Sequence, residues 1–258
     1  MGILEGKRIV ITGVLTDASL AYATAELAIF EGAQIVLTGA GRGLSMTQRM
    51  GRKLSSEVEV FELDATQPEH FVLLTRALTA KWGAVDGALH AIGFAPASCL
   101  GDGMMAAPWE DVATALQIST YSLKALAQCL LPLFAKAGGG SIVGLDFDNS
   151  RQAWPAYDWM GVAKAALESL NRYLARDLGS LQVRCNLVAA GPIKTMAARS
   201  IPGFAKFEEV WSEKAPLGWD ITDPTPVARA CVALLSDWFP KTTAEIVHVD
   251  GGFHAIGA

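Results

Sequence analysis

Short apolar segments alternate with longer amphipathic ones along the whole chain, and this alternation constrains the fold more than any other feature. The segments RIVIT, AQIVLT, VEVFEL, DGALHAI, GSIVGLDF, VRCNLVA and EIVHV are rich in β-branched residues. They lack the polar–apolar alternation of a strand with one wet face, so they read as strands buried on both faces. Between them, helical patterns run over roughly 19–31, 43–55, 68–82, 108–135 and 157–178, with two more after residue 195. Strand and helix in alternation predict an α/β fold with a doubly wound parallel sheet of about seven strands, in a single domain over residues 1–258. KAGGGS at 136–141 is a helix stop and a turn ahead of a strand. The longest stretch without a strand, 191–243, separates the last two, which is where a lid would sit.

A chain of 258 residues, 51% of them hydrophobic, can bury a large core without cross-links. Its four cysteines (Cys99, Cys129, Cys185, Cys231) form no CxxC pair, so neither a disulfide framework nor a zinc site is suggested and reduced cytoplasmic thiols are expected. A net charge of −5 and the lack of a basic run argue against nucleic-acid binding. The start MGILEGKRIVITG reaches Glu5, Lys7 and Arg8 before any signal-like core, and no apolar run looks long enough to cross a bilayer. A soluble protein with no membrane association is expected.

The first strand leads through VITGVLTDASLAYATAELA into a helix, turning at Gly13 and starting near Ser19. A helix N-terminus at the first βα turn offers N–H groups and partial positive charge to a pyrophosphate. Asp17 and Ser19 stand where a GxxxGxG turn would have glycine, and either could simply cap the helix. In LTGAGRG after the second strand, the acidic residue that would bind ribose hydroxyls is absent. Arg42 could meet a 2′-phosphate, stack on adenine or sit in solvent, which leaves NADH against NADPH open. Asp64 in FELDA is a candidate for the adenine edge or an ordinary strand-end turn.

In YDWMGVAKAALE, Tyr157 and Lys164 stand seven residues apart on one helix. At about 100° per residue they lie about 20° apart in azimuth and about 10.5 Å apart along the axis. Helical side chains lean toward the N-terminus, so the long lysine points back toward the tyrosine.

These segments resemble the enoyl-acyl-carrier-protein reductases, a divergent branch of the short-chain dehydrogenase/reductases. The likeness runs essentially the full length, through TGVLTDASLA, HAIGFAP, FDNSRQAWPAYDWMGVAKAALES, RCNLVAAGPIKT and HVDGG. Ordinary short-chain dehydrogenases place lysine four after tyrosine and a serine about thirteen before it; here the earlier position is Gly144. The resemblance implies a Rossmann fold and NADH-dependent reduction of the trans-2 double bond of an enoyl thioester, carried on acyl carrier protein or coenzyme A, in fatty acid synthesis. Tyr157 would donate to the enolate oxygen, with Lys164 on the nicotinamide ribose and Phe147 where many members have a second tyrosine. Cofactor contacts are implied at Gly13, Ser19, Leu20, Asp64, Ala65, Ile92, Gly93, Lys164, Ile193 and Thr195. Acyl contacts are implied at Tyr157, Met160, Leu145 and Met196, although core packing accounts for Met160 and Leu145 as well. NADH is preferred over NADPH on the resemblance and because Arg42 is the lone basic residue just past the second strand. No metal is called for.

The segment 195–219 is expected to be a mobile helical substrate lid, with Met196, Ile201, Phe204, Phe207 and Trp211 as its apolar face and Pro202-Gly203 as its hinge. A plain amphipathic helix is the alternative. Long helices rich in small and apolar residues, together with the resemblance, predict a homotetramer, with Lys124 at the surface or a subunit interface. The rival readings are a carbonyl-reducing short-chain dehydrogenase and a non-catalytic dinucleotide-binding regulator.

Overall fold

In the computed structural model, residues 2–101, 103–147, 152–199 and 201–257 are described. The first half of the chain runs β1 (Arg8–Thr12), α1 (Leu20–Phe30), β2 (Gln34–Gly39), α2 (Gly41–Leu54), β3 (Glu59–Glu62), α3 (Pro68–Lys81), β4 (Gly87–His90), α4 (Trp109–Leu116) and α5 (Ser122–Ala137). The second half continues with β5 (Gly140–Asp146), α6 (Asp158–Leu178), β6 (Val183–Ala190), α7 (Met196–Arg199), α8 (Ala205–Lys214), α9 (Thr225–Leu235) and β7 (Ile246–Val249). Seven strands pair in parallel in the order β3-β2-β1-β4-β5-β6-β7.

Side chains on the strands alternate between two cores. Val10, Val36, Ala88 and Ile142 face Leu74 and Leu78 of α3, Leu126 and Leu130 of α5 and Leu167 of α6. Ile9, Ile11, Leu37, Leu89 and Val143 face Ala21 and Ala25 of α1 and Val227 and Cys231 of α9. Each such leucine or isoleucine contributes about 1.5–3 kcal/mol by leaving water. Burial on both faces explains why the strands read as unbroken apolar runs. The strand order reverses between β1 and β4, which opens a crevice at their carboxyl ends.

Three details differ from the sequence reading. Three helices, not two, follow residue 195, because Pro202-Gly203 separates α7 from α8 and Gly203 takes a left-handed φ of 72°. The helix expected over 43–55 starts earlier, at Gly41, directly after β2 ends at Gly39, so exposed Arg42 lies in its first turn. The stretch from Trp109 to Ala137 is one continuous helix, long and apolar enough by composition to span a membrane, where no such run was expected. Its Leu123, Leu126, Leu130 and Phe134 are fully buried in the core, so the apolarity is spent on packing against the sheet. That helix also contains a π turn at Gln117–Tyr121. The four cysteines are free thiols, and burial pushes Cys129, Cys185 and Cys231 up to about 12, well away from thiolate.

Candidate active site

The carboxyl end of β5 and the start of α6 bury both members of the sequence-predicted pair beside the Asp146 charge. Tyr157 caps α6, its ring 7% exposed, and Lys164 lies one face along the same helix, 8% exposed. The lysine does lean back: its Nζ donates to the Leu145 carbonyl of β5 at 2.8 Å. Ala156 and Asp158, on either side of Tyr157, have φ of +64° and +35°. That turn is pinned from outside, since Gly101 N donates to the Ala156 carbonyl and Gly103 N to Asp158 Oδ2, both at 3.1 Å.

Electrostatics set the protonation of the pair. Burial, then the nearby Asp146 charge, holds the Tyr157 phenol above its usual range, so it stays a protonated donor. Burial lowers Lys164, while Asp146 opposes that and favours the ammonium. The sequence reading passed over Asp146, the buried last residue of β5.

It also missed His90, fully buried at the end of β4 and paired in register with Gly144. His90 Nε2 lies 2.7 Å from Ser122 Oγ, whose own proton goes to the Ile118 carbonyl at 2.6 Å. Ser122 therefore accepts, which puts the imidazole proton on Nε2. Nδ1 is a buried acceptor with no donor among the described residues. Burial, helped by the Lys164 charge, takes His90 down to about 3 and keeps it neutral. The π turn belongs to this region too. Its Ser119 Oγ accepts from Phe94 N and donates to Phe94 O, and Thr120 Oγ1 donates to the Ala163 carbonyl of α6.

The crevice between β1 and β4 fits a dinucleotide. Gly13 has φ +79°, and a Cβ there would fall 2.1 Å from the Ala91 carbonyl oxygen, so the close approach of these two loops requires glycine. Beyond it, Ser19 caps α1, its Oγ accepting from Tyr22 N at 3.1 Å, with Leu20 opening the helix and no acidic side chain in the first turn to repel a phosphate. Asp17 is not the cap; it pairs with Lys53 at 2.7 Å on the surface. Gly93, after Ile92, has open space where a Cβ would project. Asp64 forms the strand-end turn with Ala65 and Thr66, Oδ1 accepting from Thr66 N and Oγ1. Ile193 is buried beyond β6, and Thr195 Oγ1 caps α7 by accepting from Ala198 N at 3.1 Å.

Around Tyr157 the walls are aromatic. Phe147 sits centrally, its ring centroid 5.3 Å from Tyr157, 5.8 Å from Trp154, 5.8 Å from Phe207 and 5.7 Å from Trp211. Trp211 stacks on Phe253 at 3.9 Å, and Phe204 flanks Phe207 at 6.0 Å. The sequence reading picked out Phe204, Phe207 and Trp211 but not Trp154 or Phe253. Of the expected acyl contacts, Met160 is half-buried on α6 and Met196 is exposed. The Leu145 side chain packs into the core on the α1–α9 face, so this residue meets Lys164 through its carbonyl. A groove of about 740 Å³ lies elsewhere, between α3 and α5, with Ala65 at its rim and neither Tyr157 nor Lys164 in its lining.

Residues 13–254 match the family described as enoyl-(acyl carrier protein) reductase. The chain is 47% identical to an enoyl-[acyl-carrier-protein] reductase [NADH] of Mycolicibacterium smegmatis, over 97% of each protein. It is 45% identical to the same enzyme of Mycobacterium avium, again over 97% of each. For the Aquifex aeolicus enzyme the identity is 40%, over 100% of this chain and 94% of that protein.

Proposed function

Because the chain belongs to the enoyl-(acyl carrier protein) reductase family, we propose that Tyr157 and Lys164 are the working pair of its active site. The protein is an enoyl-[acyl-carrier-protein] reductase using NADH, and it reduces enoyl thioesters in fatty acid synthesis. The observation that carries the residue assignment is the burial of both Tyr157, at the N-cap of α6, and Lys164, within that helix, beside the Asp146 charge at the end of β5.

NADH supplies the hydride that reaches the β-carbon of the trans-2-enoyl group. As it arrives, negative charge grows on the thioester oxygen. The un-ionised Tyr157 hydroxyl donates to that oxygen in a buried site, where such a bond counts for more than in water. Lys164 holds the nicotinamide ribose hydroxyls and adds positive charge nearby, while the Leu145 carbonyl fixes its direction. Gly13, Ser19 and Leu20 take the pyrophosphate, Asp64 and Ala65 the adenine side, and Ile92, Gly93, Ile193 and Thr195 the nicotinamide side. Phe147 walls the reacting carbons and has no hydroxyl to contribute. Solvent protonates the α-carbon. With Tyr157 meeting the oxygen's charge, the reaction calls for no metal ion.

We read residues 1–258 as one reductase domain with a substrate lid at about 195–219, working in the cytoplasm as a homotetramer on acyl-carrier-protein thioesters. The test is NADH and NADPH oxidation across enoyl thioesters of graded length, with ketones alongside. Reduction of ketones but not enoyl thioesters would make it a carbonyl reductase. No turnover with either would favour a dinucleotide-binding regulator.

A further inference from the structure

We propose that the acyl pocket selects enoyl thioesters whose acyl group ends in an aromatic ring. This rests on the assignment of Tyr157 as the residue that meets the thioester. From Tyr157 outward, the next groups are rings: Phe147, then Trp154, Phe207 and Trp211, then Phe204 and Phe253. They close on one another. A space of about 10 Å³ lies beside Phe147, Trp154, Trp211 and Phe253, too little for an acyl tail.

A tail seated among these rings must part them, and the seam between them is aromatic on both sides. Phe207 and Trp211 ride on α8. Phe147, Trp154 and Phe253 come from the end of β5, the turn before α6 and the segment after β7. Across that seam the centroid distances are 5.8 Å for Phe147–Phe207, 5.7 Å for Phe147–Trp211, 5.3 Å for Trp154–Phe207, 5.1 Å for Trp154–Trp211 and 3.9 Å for Trp211–Phe253. Ring pairs at these separations attract through edge and face charge beyond the burial of area. An alkyl tail restores the lost area but not that part. An aryl tail restores both. The buried Trp211 Nε1 donor has no acceptor among the described residues. Aliphatic Ile201 and Val210 pack against this cluster alongside the rings, and Ala215 is buried within it.

The discriminating pair of probes is trans-5-phenylpent-2-enoyl-CoA and trans-5-cyclohexylpent-2-enoyl-CoA. The two tails match in length, and the cyclohexyl tail is the greasier, so area alone favours it. An aromatic pocket reverses the order: the phenyl compound should have the higher kcat/KM, by roughly tenfold. The saturated phenylpentanoyl and cyclohexylpentanoyl thioesters, titrated with NAD+ present by quenching of tryptophan fluorescence, should rank the same way. Equal values, or a cyclohexyl preference in binding, overturn the proposal. Failure to turn over either enoyl thioester would instead remove the reductase reading of the site, and the binding ratio would still decide whether the pocket prefers an aromatic ring.

Discussion

Tyr157 is held by backbone as well as by packing. The left-handed conformations of Ala156 and Asp158 on either side cost about 1–3 kcal/mol each, and the bonds from Gly101 and Gly103 keep them in place. The hydroxyl is thus aimed before substrate arrives. Tyr157→Phe keeps the ring and its contact with Phe147, so it should lower kcat about 10²–10³-fold with little effect on NADH binding; a variant with full turnover on a saturating enoyl thioester would refute the donor role. His90 gives a second prediction, in stability. Its pKa is about 3 in the fold against an ordinary 6.5. Above 6.5 it is neutral in both states and costs nothing. Between 6.5 and 3 the unfolded chain takes up a proton that the fold refuses, so stability falls with falling pH, by at most about 1.4 kcal/mol per unit. Urea midpoints measured between pH 7 and 4.5 should therefore drop more steeply for the wild type than for His90→Gln. Parallel lines would mean that His90 does not refuse the proton.

Elements differ in how much of them the sequence discloses. The seven strands are legible because burial on both faces demands β-branched runs, and the helices because one face of each must be apolar. The helix that carries Lys164 is legible too, but not the left-handed Asp158 that leaves Tyr157 at its cap rather than within it. The π turn at Gln117–Tyr121 is not: one extra residue in a turn leaves no mark on a period of 3.6, and its cause lies in Phe94 and Ala163, far away in the chain. His90, Asp146, Trp154 and Phe253 escaped for the same reason, because tertiary contacts alone give them meaning. The break at Pro202-Gly203 was legible, but not that Phe207 and Trp211 beyond it would be buried against Trp154 and Phe253. As a lid, α8 must open at low cost. Its amides should exchange faster than those of α6 in the free protein and slow once NAD+ and an enoyl analogue bind. Strong and equal protection of residues 201–214 in both states would make it a fixed helix.

At the scale of the whole molecule, the α3–α5 groove, with exposed Tyr121 in its lining and half-buried Lys124 beside that tyrosine, leaves one flank of the subunit open. Closed symmetric assembly would cover such a flank, and light scattering at micromolar concentration should give four times the chain's 27.3 kDa. A monomer mass would remove the tetramer. The strand order has a further consequence, for the chain while it is being made. β1, β2 and β3 can pair as soon as residue 62 has emerged, but the other edge of β1 must wait for β4, where Ile9 meets Gly87. At the roughly 5–20 residues per second of synthesis, that edge stays bare for about 1–6 s. A nascent three-stranded ribbon, open along β1, is what a ribosome-bound chaperone would meet first.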